Sequence, residues 1–390
     1  MRKVAVTGLG AITALGPDVA SFERGLRESR SGVGPVTLFD VTGFRTRLGA
    51  QAPDPTFQEL RASRPDRFGL QAAFEAVKQA GLTAAELRGA AVVFGTGTGG
   101  ASSTEDYLVA VRQNAAPSVA SLVLHQPCSV TDLVARHLDA RGPRSTIMTA
   151  CSSSATAIGW AADRIRLGQV SVALAGGAEG LCRLTYAGFN CLRATSPEPA
   201  QPFDKNRKGL NLGEGGAVLV LEDYDHARAR GATVLALLAG WGMTADAHHM
   251  TAPHPEGDGA ARAMLAALAD ARLDVDRIGY VNAHGTATPH NDAAESAALK
   301  RVFGARARQV PVSSTKSMVG HTLGAAGAVE AVASLLALAG GYLPPTVNLR
   351  EPEFDLDFIP GSAREARVDA ILSSSFAFGG NNTVLAFTRA

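Results

Sequence analysis

The chain has 390 residues, 46% of them apolar, with 37 Lys and Arg against 36 Asp and Glu. That length exceeds one ordinary hydrophobic core, and the near-cancelled charge leaves no global field to favour nucleic acid or an anionic membrane. Four cysteines (Cys128, Cys151, Cys182 and Cys191) show no C-x-x-C pair and no framework spacing, as expected of reduced thiols in the cytoplasm.

In chain order, Val4 to Thr7 reads as a first strand and Gly8-Leu9-Gly10 as a turn. Thr7, Gly8, Gly10 and Thr13 break the apolar run that a signal peptide requires. A helix is predicted near Asp18 to Glu28, irregular surface from Asp40 to Pro65, a helix from Phe68 to Ala80 closed by Gly81, and a strand from Ala91 to Phe94. Gly95-x-Gly97-x-x-Gly100 then matches the dinucleotide-binding pattern literally. No acidic residue follows about 20 positions later at the end of a second strand, so a plain Gly-rich turn explains it equally well.

Ser145 to Ala150 fits a buried strand, and Ala155 to Leu167 a helix that is apolar on nearly every face. Thr149-Ala150-Cys151-Ser152-Ser153-Ser154 therefore sits where a strand turns into a buried helix. The unpaired N–H groups and partial positive charge of such a tip favour a thiolate and can hold an oxyanion. Cys151 has two readings: a buried apolar filler, or a nucleophile that a long, thin substrate arm reaches through a tunnel. A strand at Val170 to Ala175 and a Gly-rich turn at Gly176-Gly177 follow.

The second part repeats this order. Val234 to Leu238 reads as a strand, Gly259 to Ala271 as a helix, and Ile278 to Asn282 as a strand ending at His284, parallel to Ala91 to Gly97. Val310 to Ser314 leads through Lys316 and His321 into an apolar helix, Ala325 to Leu338, as Ser145 to Ala150 leads into Cys151. That stretch carries Glu330 and is too short to span a bilayer. Ala370 to Ser374 ends at Phe378-Gly379-Gly380, paralleling Val170 to Gly177. Two halves, 1–232 with the cysteine and 233–390 with the histidines, imply a pseudo-twofold α/β molecule. Its corresponding turns carry Cys151, His284, His321 and Phe378 toward one place. Each histidine alone reads as structural. The Cys/His/His set suits catalysis better than zinc, because no two of them stand at metal-finger spacing.

Taken together, Thr149 to Ser153, Asn282-Ala283-His284-Gly285-Thr286-Ala287-Thr288-Pro289, Ser314 to His321, and Phe378-Gly379-Gly380 resemble the β-ketoacyl-acyl carrier protein synthases of the type II elongating class. The resemblance runs over essentially the whole chain. It implies the thiolase fold, with duplicated halves in a layered αβαβα arrangement, and a dimer. It also implies decarboxylative condensation of an acyl-enzyme with malonyl-carrier protein, with no cofactor and no metal. Cys151 would carry the acyl group, and the N–H groups of Cys151 and Phe378 would hold the oxyanion. His284 and His321 would donate to the malonyl thioester carbonyl, with Lys316 and Glu330 orienting His321 and water. Thr286 and Thr288 would bind the pantetheine arm, and Phe378 would gate the acyl pocket.

Some positions depart from that pattern. Ala377 replaces a glycine, which is expected to stiffen the gate if positive φ is needed there. Thr104 stands where a branched aliphatic residue often lines the acyl pocket. Lys208-Gly209-Leu210-Asn211 and Asn291-Asp292 point toward a dedicated polyketide or polyene system rather than housekeeping fatty-acid elongation. Arg61, Arg64 and Arg67 with Lys205, Arg207 and Lys208 are the candidate patches for an acidic acyl carrier protein. The partner subunit is expected to be a second copy or a chain-length-factor-like protein. The rival readings are a non-catalytic chain-length partner, which typically lacks the nucleophile, and a degradative thiolase, which would want a cysteine beyond Cys191.

Overall fold

The structure is a computed structural model that describes residues 2–57 and 62–390. Its principal strands are β1 (Val4–Ile12), β2 (Ala91–Gly95), β3 (Arg144–Ile147), β4 (Val172–Glu179), β5 (Gly215–Asp223), β6 (Ala236–Ala245), β7 (Tyr280–Asn282), β8 (Pro311–Ser313), β9 (Asp357–Phe358), β10 (Ala370–Phe376) and β11 (Asn381–Thr388). They follow one another in the order β9-β8-β7-β10-β11-β6-β1-β5-β4-β2-β3. Read outward from the β1/β6 seam, the two sides are copies. In β3-β2-β4-β5-β1 the first three strands are parallel and the last two antiparallel, and β8-β7-β10-β11-β6 repeats that pattern. The seam itself is short, pairing Val4 to Val6 with Ala236 to Leu238.

The principal helices are α1 (Val19–Arg27), α2 (Arg64–Ala80), α3 (Ala101–Arg112), α4 (Ser129–His137), α5 (Ser153–Arg166), α6 (Arg183–Cys191), α7 (Asp258–Ala271), α8 (Pro289–Phe303) and α9 (Ala326–Gly340). Capping chemistry sets several ends. Ser63 and Asp66 form a capping box around Pro65 at the start of α2, and Gly81 at φ +64 closes it. Three apolar cores separate the layers. One joins α2 and α4 to the outer face of the first sheet half, another joins α7 and α8 to the outer face of the second, and the third holds α5 and α9 between them. The result is a five-layer αβαβα stack. α5 touches β11 and β6 of the other half, and α9 touches β5, β4 and β1, so the halves share their central core.

Four sequence expectations change here. Gly8 and Gly10 are not a turn, because β1 runs through them, and a Cβ on either would collide with a carbonyl of α2, Ala76 or Ala72. Likewise β4 continues through Gly176 and Gly177, where side chains would strike Ala217 and Ser154. Ser145 to Ala150 is not a buried strand: β3 ends at Ile147, lies at the sheet edge and is half-buried at best. The segment 40–65 is not wholly irregular, since Leu48–Ala50 forms a short strand between Val33–Pro35 and Leu212–Gly213.

Leu323 to Gly340 has the length and hydropathy of a membrane span, yet most of it is buried in the central core. Its driving force is therefore internal burial, at about 1.5–3 kcal/mol for each large apolar side chain.

Candidate active site

Past the end of β3, Ala150 takes φ +51, a left-handed conformation that costs an alanine roughly 1–2 kcal/mol. The turn throws Cys151 onto a single 3-10 turn, Ala150–Ser152, at the tip of α5. Small side chains hold it: Ser153 Oγ accepts from Thr149 N–H (2.9 Å) and donates to Ala150 O (2.6 Å), and Ser152 Oγ donates to Thr149 O (2.9 Å). Burial pushes the Cys151 thiol up to about 12, against the lowering effects of the Lys316 charge and of the Phe378 N–H directed at the sulfur. Desolvation thus outweighs the helix tip, and the expected resting thiolate is a thiol.

Two loops bring in the histidines. His321 Nε2 lies 3.0 Å from Cys151 Sγ, and the His284 and His321 rings meet edge to face at 5.4 Å. Burial first, and Lys316 second, hold both imidazoles well below their ordinary pKa, so both are neutral at neutral pH. Lys316 Nζ is 3.2 Å from His284 Nδ1 and pairs with Glu330. An ammonium can only donate, so the His284 proton sits on Nε2. His321 Nδ1 is buried without a partner among the described residues, and an N–H there would be an orphan donor. Its proton too belongs on Nε2. Both rings therefore present an N–H, without formal charge, to the space beside the cysteine. Lys316 contacts His284 and pairs with Glu330, and it reaches His321 only through its charge rather than orienting it as the sequence suggested; the main chain of His321 is fixed by Asn211 O (2.8 Å) and Gly213 N–H (2.9 Å).

A cavity of about 450 Å³ opens over these groups, lined by Cys151, His284, His321, Thr286, Thr288 and Phe378 among others. Thr286 and Thr288 share a 2.8 Å hydroxyl hydrogen bond at its wall. Phe378 stacks on Phe189 of α6 with centroids 5.7 Å apart, closing one side. The positive φ in this loop falls on Gly379 (+83) and Gly380 (+75), while Ala377 is extended at φ −130. The alanine is therefore unstrained, contrary to the stiffening expected of it.

Other expected residues lie elsewhere. Thr104 does not line this cavity; it sits on α3 and bonds His125 Nδ1 at 2.9 Å. Arg61 lies outside the described residues. Arg64 is largely buried between Asp54 and Glu214, and Arg207 between Glu353 and Asp292, so neither is an open docking charge. Arg67 is half-buried, while Lys205 and Lys208 are exposed but paired with Glu351 and Glu198. The cation at the cavity rim is Arg193, exposed and without an ion pair among the described residues.

Three buried carboxylates around the site have roles that the sequence did not show. Glu179 accepts from the amides of Gly97 (2.5 Å), Thr98 (3.1 Å) and Gly324 (3.0 Å), which fills the Gly-rich loop with the protein's own anion. Glu295 accepts from His284 and Gly285 N–H, both at 2.8 Å. Asp292 accepts from Phe203 N–H (2.7 Å) and Ala287 N–H (3.2 Å), pinning two left-handed residues. The one signal available was an acidic residue amid small or apolar neighbours, which does not name its amide partners.

The profile described as "Beta-ketoacyl synthase, N-terminal domain" matches residues 1–227, and that described as "Beta-ketoacyl synthase, C-terminal domain" matches 235–350. The chain is 40% identical to a 3-oxoacyl-[acyl-carrier-protein] synthase 2 of Synechocystis sp., over 100% of this chain and 98% of the relative. It superposes on the ishigamide ketosynthase/chain length factor with a TM-score of 0.95 at 37% identity, covering 100% and 99% of the two chains. A type II polyketide ketosynthase solved with its acyl carrier protein gives a TM-score of 0.92 at 31% identity, covering 100% of both chains.

Proposed function

The chain belongs to the β-ketoacyl synthase family, and on that premise we propose that Cys151, His284 and His321 carry its condensation reaction. It is an acyltransferase of fatty acid or polyketide elongation, with the thiolase-like fold of its relatives. Cys151 Sγ attacks an acyl-carrier thioester, the carbon–sulfur bond to pantetheine breaks, and the thiol proton leaves with the pantetheine sulfur. The N–H groups of Cys151 and Phe378 hold the tetrahedral oxyanion. Malonyl-carrier protein then loses CO₂, and the electron pair moves onto the thioester oxygen, which accepts from Nε2–H of His284 and of His321. The enolate carbon attacks the acyl-Cys151 carbon, the carbon–sulfur bond breaks to leave the Cys151 thiolate, which takes a proton from solvent, and 3-ketoacyl-carrier departs.

One observation carries this reading: two neutral imidazoles with Nε2–H beside one thiol, His321 Nε2 being 3.0 Å from its sulfur. The non-catalytic alternative has no observation in its favour, because nucleophile and donors are all in place. Thr286 and Thr288 bind the pantetheine arm, Phe378 gates the acyl pocket, and Arg193 at the rim meets the acidic carrier. Residues 1–232 and 233–390 are the duplicated halves. The partner subunit, a second copy or a chain-length-factor-like chain, covers the β3 edge and the exposed Leu108, Val109, Val119 and Val123. The cytoplasm is the compartment.

Intact mass after incubation with acyl-carrier thioesters, then malonyl-carrier protein, tests the reading. An acyl adduct absent in Cys151→Ala and discharged by malonyl-carrier is the expected result. No adduct with any donor, with or without a co-expressed partner, would overturn it.

A further inference from the structure

The oxyanion hole proposed above takes one N–H from each half of the molecule, Cys151 from the first and Phe378 from the second. Something must fix the distance between them, because a displacement of about 1 Å at such a site can cost on the order of 100-fold in rate. The nucleophile turn is held on its own side by Ser152 and Ser153, whose bonds do not leave that half. Beyond the gate, Phe378 leads directly into β11, and Thr383 of that strand points into the central layer, fully buried. There its Oγ1 lies 2.8 Å from Thr156 Oγ1 of α5.

The directions of the surrounding hydrogen bonds close without a spare proton. Thr156 O–H donates to Ser152 O at 3.0 Å, which leaves its oxygen to accept. Thr383 O–H and Thr149 O–H both donate to it, the latter at 3.3 Å, and the single Ser152 O–H is shared between Thr149 O (2.9 Å) and Thr149 Oγ1 (3.0 Å). Thr156 is thus the hub of a buried hydroxyl cluster that ties both residues flanking Ala150–Cys151 to the strand that follows the gate. Its strength comes from burial, where a satisfied network is rigid and a broken one is costly.

We propose that Thr156 and Thr383 form a strut across the two halves that positions the Phe378 N–H against Cys151, making them positioning residues for acyl transfer. The proposal rests on Cys151 being the acylated nucleophile. A strut of this kind affects steps that need the oxyanion hole and spares those that do not. Transfer of an acyl group to Cys151 passes through a tetrahedral oxyanion, whereas alkylation of the same sulfur by iodoacetamide displaces iodide and forms none. A merely structural role would slow both together.

The experiment compares wild type, Thr383→Val, Thr383→Ser, Thr156→Val and Cys151→Ala. It follows the rate of Cys151 acylation from an acyl-carrier thioester, by intact mass, beside the rate of iodoacetamide alkylation, with melting temperature as the check on folding. Valine keeps the shape and removes the hydroxyl. Acylation in Thr383→Val is expected to fall at least about tenfold, against the roughly 100- to 1000-fold that losing a whole oxyanion donor costs. Alkylation should stay within about twofold, and Thr383→Ser should recover acylation. Unchanged acylation in Thr383→Val, or equal loss in both reactions, overturns the strut. If Thr156→Val fails to fold, Thr383→Val decides alone, since it removes one hydroxyl at the far end of the cluster. Failure of the underlying reading is separate: wild type would then give no adduct, or Cys151→Ala would still give one.

Discussion

The two central helices, α5 and α9, are the same device used twice. Each follows a left-handed residue, Ala150 at φ +51 or Leu323 at φ +47, and a three-residue 3-10 turn, Ala150–Ser152 or Leu323–Ala325. Counting along both turns, Gly324 stands where Cys151 stands. The cysteine faces the cavity, whereas a Cβ at Gly324 would run into the backbone of Thr96 and Gly97, and its N–H is bound by Glu179. One turn is thus open to substrate and the other sealed, and the second half contributes its chemistry just upstream, at His321. Duplication supplied two equivalent tips, and packing around each decided which could carry a reactive group.

The comparison breaks most sharply at the histidines. His284→Ala removes one of the two N–H donors and should lower condensation on the order of 100- to 1000-fold while Cys151 acylation persists. Separate assays of acylation and of CO₂ release from malonyl-carrier protein read the difference. Next, Gly324→Ala places a methyl group against main chain that cannot yield, and should cost about 2–3 kcal/mol, seen as a melting point lower by several degrees.

Glu295 gives a smaller, pH-dependent effect. Its carboxyl is pushed up to about 7, chiefly by burial. A folded-state pKa above the unfolded value means the stability it contributes is fully present below the unfolded pKa, near 4.5, and is lost as pH rises through 7. Glu295→Gln should therefore flatten the stability profile between those pH values, measured by urea unfolding across the range. The smallest change belongs to the rim: Arg193→Ala should raise the carrier-protein KM a few-fold at low salt, less at high salt, with kcat unaltered.

Much of this was legible before the structure. The strand-to-helix position of Cys151, the repeat and the histidine loops depend on local pattern, and local pattern is what a sequence displays. Glycines were the systematic error: Gly8, Gly10, Gly176 and Gly177 look like turns because a sequence does not say whether a missing side chain frees a φ angle or admits a neighbouring backbone. Charges were the other. Arg64 and Arg207 were read as surface cations, and only the fold reveals that Glu214, 150 residues away, and Asp292 are waiting for them. The same blindness assigned Lys316 to His321, its neighbour in sequence, instead of to His284, its neighbour in space.

α9 is apolar enough to pass for a membrane segment, and it touches strands of both halves. For a chain made from its N-terminus, β1, β5, β4 and α5 have all emerged before this helix does. A sticky segment is therefore synthesised after its first-half partners and before β10 and β11 of its own half, so it meets a surface already half prepared to cover it, which shortens its exposure to aggregation and to stray insertion into lipid.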